Sequence, residues 1–419
     1  MSGSISDRGD AEIAQELLGC CLRGEAWPCA LLRELATRAA DDVAASHALF
    51  GILVEGLSDR FEPRLADVYA ELFSEVIATV FPEWTAEELI ARYHRVRQPR
   101  RFQGDADRVE SVYVLSRITL GADIAVTSLV LDAAKRRFPR AQVSLVGGNK
   151  SYGLFDADSR IRHLPLSYGR RVALRARLGL SFGLHALLAR PASIVIDPDS
   201  RLSQLGLVPV CAAENYYFFE GRSYGAGSDD SLKKLTRRWL GETFDVPDAE
   251  AYIAPREQVA TGAEPFIAVS LGVGENLAKR IADPFEEQLL RALLATSLAL
   301  WVDTGPGGEE AARVRRAIAR CGAAEGQVRV FEGSFAAFAS LIARSRLYVG
   351  YDSAGQHAAA ACGVPALCIF AGFPCARFFT RWRPTGPGPI EVVRVENPDP
   401  AVVLGQTLPA LGRLIAMPG

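Results

Sequence analysis

The chain has 419 residues, 49% of them hydrophobic, and a formal net charge of −2. That length exceeds one ordinary core and fits two or three domains. Both signs of charge are mixed along it with no basic stripe, which excludes the usual nucleic-acid binder. No apolar run is long enough to span a membrane, since Pro365 interrupts the longest, from Ala358 to Phe373. The start, MSGSISDRGDAE, lacks the basic and apolar regions of a secretory leader, so a cytoplasmic protein is expected.

Residues 1–105 read as helical. Ala, Leu and Glu recur at helical spacing in AEIAQELLGCCL and RLADVYAELFSEVIATVF, and strand-like alternation is absent. The basic stretch RYHRVRQPRRFQGDADR reads as a solvated linker, with a basic phosphate-binding arm as the alternative. The texture then changes. SVYVLSR, AQVSLVGG, IRHLPL and ASIVIDPD read as strands, and DIAVTSLVLDAAKRRF as an amphipathic helix. This βαβ rhythm restarts at PFIAVSLG and runs through LALWVDTG, QVRVFEG, RLYVGYDS and PALCIFAG, with a helix before each next strand. The expected fold class is α/β: two Rossmann-like domains, 109–255 and 256–398, with a cleft between them, preceded by the helical region. A last helix in 399–419 is expected to pack back on the first half. Ligands in such folds bind beyond the carboxyl ends of the strands.

The eight scattered cysteines include no CxxC pair and read as small buried hydrophobes rather than metal ligands, Cys362, Cys368 and Cys375 included.

Three stretches carry chemistry. In RITLGADIAVTSL, Gly121 follows a strand and Asp123 stands at a helix start, as an N-cap or as a general base. In LGVGENLAKR, Gly272 and Gly274 make a backbone turn after a strand. Asn276 lies in the turn, and Lys279 and Arg280 add positive charge. A dinucleotide fingerprint fails here, because Leu277 takes the third glycine position. In RLYVGYDSAGQHAAAACGVP, a strand runs into Asp352-Ser353-Ala354-Gly355 and then a small-residue helix bearing His357. Ser353 is a natural N-cap, Gly355 admits a ligand close to the backbone, and the helix start favours a pyrophosphate.

At these residues the chain resembles the heptosyltransferase-type glycosyltransferases, family nine. The resemblance runs from about Val112 onward, roughly three quarters of the chain. Asp352, Ser353, Gly355, His357 and Gly363-Val-Pro365 are similar to the family's D-[ST]-G-x-x-H-x-A-x-x-x-G-x-P signature, with Ala354 interposed. Gly121-Ala-Asp123 is similar to its Gly-Asp turn, whose Asp is the catalytic base, and Lys279 to its donor-phosphate lysine. DPDSRLSQ stands where the family has an acceptor-side motif, which puts Arg201 and Gln204 beside Gly121 on the acceptor side.

The resemblance implies a GT-B fold and inverting, metal-independent transfer from a nucleotide-diphospho-sugar to a hydroxyl of a glycan, lipid-linked or protein acceptor. No cofactor is expected. Asp197-Pro-Asp199 is the pair to watch if a metal were required. Two other readings stay open: a sugar-nucleotide epimerase of the same fold, and a non-catalytic nucleotide-sugar-binding or scaffold protein. The helical region would bind an acceptor or a partner protein, or would equally be packing that covers one face or makes an oligomer contact.

Overall fold

A computed structural model describes residues 8–169, 171–274, 276–305 and 307–417. Residues 1–7, Glu275 of the LGVGENLAKR turn, and residues 418–419 of the last helical stretch lie outside them. The chain divides into two compact units that are not continuous in sequence. One holds residues up to Ile118, Val130–Gly148 and Arg160–Ala249; the other holds Thr119–Leu129, Asn149–Ser159 and residues from Glu250 on.

In the first unit the described chain up to Val96 is helical, with the longest helices at Asp10–Arg23, Cys29–Asp41, Pro63–Val80 and Ala86–Val96. The last of these starts at a capping box: Thr85 Oγ1 accepts from the Glu88 N–H, and the Glu88 carboxylate accepts from the Thr85 N–H. A five-stranded parallel sheet follows: β1 (Ser111–Leu115), β2 (Gln142–Gly147), β3 (Ile161–Pro165), β4 (Ser193–Asp197) and β5 (Tyr216–Phe218), in the order β3-β2-β1-β4-β5. Leu35, Tyr69, Phe73 and Tyr93 of the helices share one buried cluster with Leu115, Val146 and Val195 of the sheet. The described helices up to Val96 are therefore part of this unit's core and not a separate body.

The basic stretch after Val96 is not a solvated linker. Arg97 pairs with Asp67 and Glu220. The Arg100 guanidinium donates to the carbonyls of Ala213, Glu214 and Tyr216 and lies 4.2 Å above the Tyr217 ring. Arg101 pairs with Asp245. The arginine forks satisfy carbonyls at the sheet edge, and this holds the stretch down.

The second unit carries a six-stranded parallel sheet: β6 (Phe266–Ser270), β7 (Ala299–Asp303), β8 (Val328–Phe331), β9 (Leu347–Tyr351), β10 (Ala366–Phe370) and β11 (Ile390–Arg394). Its order is β11-β10-β9-β6-β7-β8. Numbered within the unit, this is the doubly wound order 3-2-1-4-5-6, and the order reverses between β6 and β9. The helix Pro400–Ile415 was expected to reach the first half. It instead packs on β10, β11 and the helix Phe285–Leu294 of its own unit. Its Val403, Ala410, Leu411 and Leu414 complete that unit's apolar cluster, which fixes its place. Among the described residues no helix is long and apolar enough to cross a membrane.

Candidate functional site

Beyond the carboxyl ends of β6 and β9, at the reversal of strand order, three segments of the second unit converge. The first is the turn after β6. Asn276 Oδ1 accepts from the Ala278 N–H and opens the short 3₁₀ turn Leu277–Lys279. Gly372, just past β10, has φ +65°, and a Cβ there would lie 2.5 Å from the Ala278 carbonyl. Only a glycine allows this approach, and it fixes where Lys279 stands.

The second segment is the start of the helix Ala354–Cys362. Lys279 Nζ reaches Asp352 Oδ2 at 2.6 Å and the Asp352 carbonyl at 3.3 Å. The other Asp352 oxygen accepts from Gln356 Nε2. Ser353 takes the N-cap position, but its side chain does not cap. Its Oγ lies 3.4 Å from Tyr348 Oη instead. Gly355 lies against Tyr348 of β9. A Cβ there would meet Tyr348 Oη at 2.3 Å, so the glycine lets the helix lie on the buried tyrosine of β9.

The third segment is the turn after β1. A Cβ on Gly121 would lie 3.2 Å from His357 Cδ2 and 3.4 Å from Ala354 Cα. The two motifs read separately in the sequence thus pack against each other within one compact unit. Asp123 is not an N-cap. Thr119 holds that position, and the Asp123 N–H donates to the Thr119 carbonyl at 2.9 Å. Asp123 begins a π-helical stretch, Asp123–Thr127, a distortion that recurs at functional sites. Its carboxylate is fully buried and accepts from Thr127 Oγ1 at 2.8 Å.

His357 is buried beside this pair, edge-on to Trp382. Burial, helped by the nearby Lys279 charge and opposed by Asp352, pushes its pKa down from 6.5 to about 4. The fold therefore favours the neutral imidazole. The resulting stability is complete above pH 6.5 and is lost as pH falls toward 4, for a total of about 3 kcal/mol. Urea unfolding across that window should show this acid limb, and His357→Gln should flatten it. An unchanged limb in the variant would place its origin elsewhere.

No family model matches the chain, and no curated protein matches it in sequence. Its fold, however, is matched among solved structures. The family 9 glycosyl transferase from Veillonella parvula superposes with a TM-score of 0.54 at 15% identity, over 73% of this chain and 97% of that one. The E. coli heptosyltransferase WaaC, solved with ADP-2-deoxy-2-fluoro heptose, superposes at 0.51 with 14% identity, over 72% and 99%. The chain has the fold of the heptosyltransferase-type glycosyltransferases.

Within that fold, the residues read as acceptor-side are divided: Gly121 belongs to the second unit, whereas Arg201 and Gln204 belong to the first. Arg201 opens a short turn after β4. Gln204 is fully buried at φ +47°, with its carbonyl accepting from Tyr69 Oη at 3.1 Å. Asp197 and Asp199 are engaged there too. Asp197 accepts from the Ser200 N–H, Tyr216 Oη and Ser203 Oγ, and burial raises its pKa to about 6. Asp199 pairs with Arg222 at 3.2 Å. Gly272 sits where expected, but the amides just after it are taken: the Val273 and Gly274 N–H groups donate to Glu310.

Sequence reasoning missed Gly372, Tyr348 and Glu310. Gly372 had a readable signal, a glycine directly after a strand. Tyr348 and Glu310 had none, because their partners lie 7 and 37 residues away.

Proposed function

We propose that this protein transfers a sugar from a nucleotide-diphospho-sugar to a hydroxyl acceptor, with inversion and without a metal. The observation that carries the reading is the approach of Lys279 to the start of the helix Ala354–Cys362 at the strand-order reversal. A helix start and a lysine together favour a diphosphate. Bond breaking at the anomeric carbon leaves negative charge on that diphosphate, and Lys279 supplies the counter-charge a metal would otherwise bring. The acceptor oxygen forms the new bond from the opposite face and gives its proton to Asp123. His357, kept neutral, leaves Lys279 as the cation at the donor phosphates. The acceptor is a glycan, a lipid-linked glycan or a protein, and transfer takes place in the cytoplasm. The structural neighbour from E. coli was solved with an ADP-sugar analogue, so ADP-sugars are the first donors to test.

The test is calorimetry with nucleoside diphosphates on the wild type and Lys279→Ala. The variant should bind about 10- to 100-fold more weakly, the range of one charge-assisted contact. An unchanged dissociation constant would remove Lys279 from the site.

One observation favours a second reading. Asp123 is buried and bonded within its own helix, as in a protein that binds the nucleotide-sugar without transferring it.

A further inference from the structure

The turn after β6 presents two successive backbone N–H groups, from Val273 and Gly274, to one oxygen. That oxygen is Glu310 Oε2, at 2.8 Å and 3.0 Å. Gly274 has φ +61°, the left-handed conformation that lets neighbouring amides converge on an anion. The surroundings are shaped for the carboxylate. A Cβ on Gly272 would lie 3.0 Å from Glu310 Oε1, and one on Gly305 would lie 2.5 Å from it. Glycine at both positions makes the room. Glu310 itself belongs to the first turn of the helix Gly308–Arg320, where a negative charge is favoured.

The same turn carries Lys279, whose charge is met by Asp352. Both anion contacts of the turn, the amide pair and the ammonium, are thus met by the chain's own carboxylates. We infer that the Val273–Gly274 amide pair is a phosphate-binding site that Glu310 occupies in competition with the ligand. The inference rests on the donor-site reading above and adds the competitor. A phosphate group brings up to two negative charges and several acceptor oxygens to amides that now hold one carboxylate. Binding requires Glu310 to swing out, so the resting protein binds more weakly than its amides allow.

Inorganic pyrophosphate is the probe, measured by calorimetry on the full chain. Glu310→Ala should bind it about tenfold or more tightly than the wild type. Glu310→Gln keeps an acceptor for the two N–H groups without the charge and should fall between the two. Glu309→Ala removes the neighbouring carboxylate and should change affinity less than about twofold. Equal tightening in Glu309→Ala would reduce the effect to net charge and overturn the inference. Unchanged or weaker binding in Glu310→Ala and Glu310→Gln, with Tm retained in either, would make Glu310 a brace of the turn and overturn it too. Failure of the donor-site reading shows separately, as pyrophosphate binding that Lys279→Ala leaves unchanged.

Discussion

Asp123→Asn should lower the transfer rate by about 10²- to 10⁴-fold while leaving donor binding within about twofold, the span one general base contributes. The substitution is isosteric. The amide oxygen can still accept from Thr127 Oγ1, so the π-helical turn has a way to persist. What Asn cannot do is take a proton from the acceptor hydroxyl. The measurement is single-turnover transfer, with nucleoside diphosphate affinity determined on the same preparation. Transfer within about threefold of wild type would release Asp123 from the base role. A parallel loss of donor affinity would show that it holds the helix start instead, through the contact of Gly121 with Ala354 and His357.

Gly355→Ala should destabilise the second unit by about 1–3 kcal/mol, the range for overpacking a filled core. The new methyl would lie 2.3 Å from Tyr348 Oη and 2.6 Å from its Cζ. Tyr348 is fully buried in a central strand, and a Cβ on Gly350 would press on the same hydroxyl at 2.4 Å, so the ring has no room to yield. The helix would have to lift, taking Asp352 and its partner Lys279 out of register. Both Tm and nucleoside diphosphate affinity should fall. Gly405→Ala is the control: that glycine is exposed in the helix Pro400–Ile415 and its Cβ meets nothing within 4 Å, so the change should be neutral or slightly stabilising. A Gly355→Ala protein as stable as wild type would mean that the helix does not sit tightly on Tyr348.

The second unit's elements were almost all legible. Its strands are short β-branched runs such as IAVS and LYVG between amphipathic helices, and local periodicity reports that pattern directly. Missed elements were those with weak local signals. β5 has three residues, and β11 follows a Pro- and Gly-rich stretch, TGPGP. The helix Leu174–Leu188 holds two glycines and lacks a clear polar face. The basic stretch 92–108 was misread because a run of arginines looks solvated until the carbonyls it satisfies are known.

The sequence by itself determined the alternation of strands and helices, the helical start and the three chemistry-bearing turns, because each depends on neighbours a few residues apart. The tertiary structure decided the rest. It made the described helices up to Val96 part of the first core and drew the Gly121–Asp123 turn into the second unit. It also kept the last helix on its own sheet and set Glu310 on the amides of a turn 36 residues away. Such contacts follow from which apolar faces and unpaired amides meet when the sheets pack, and no local pattern encodes them.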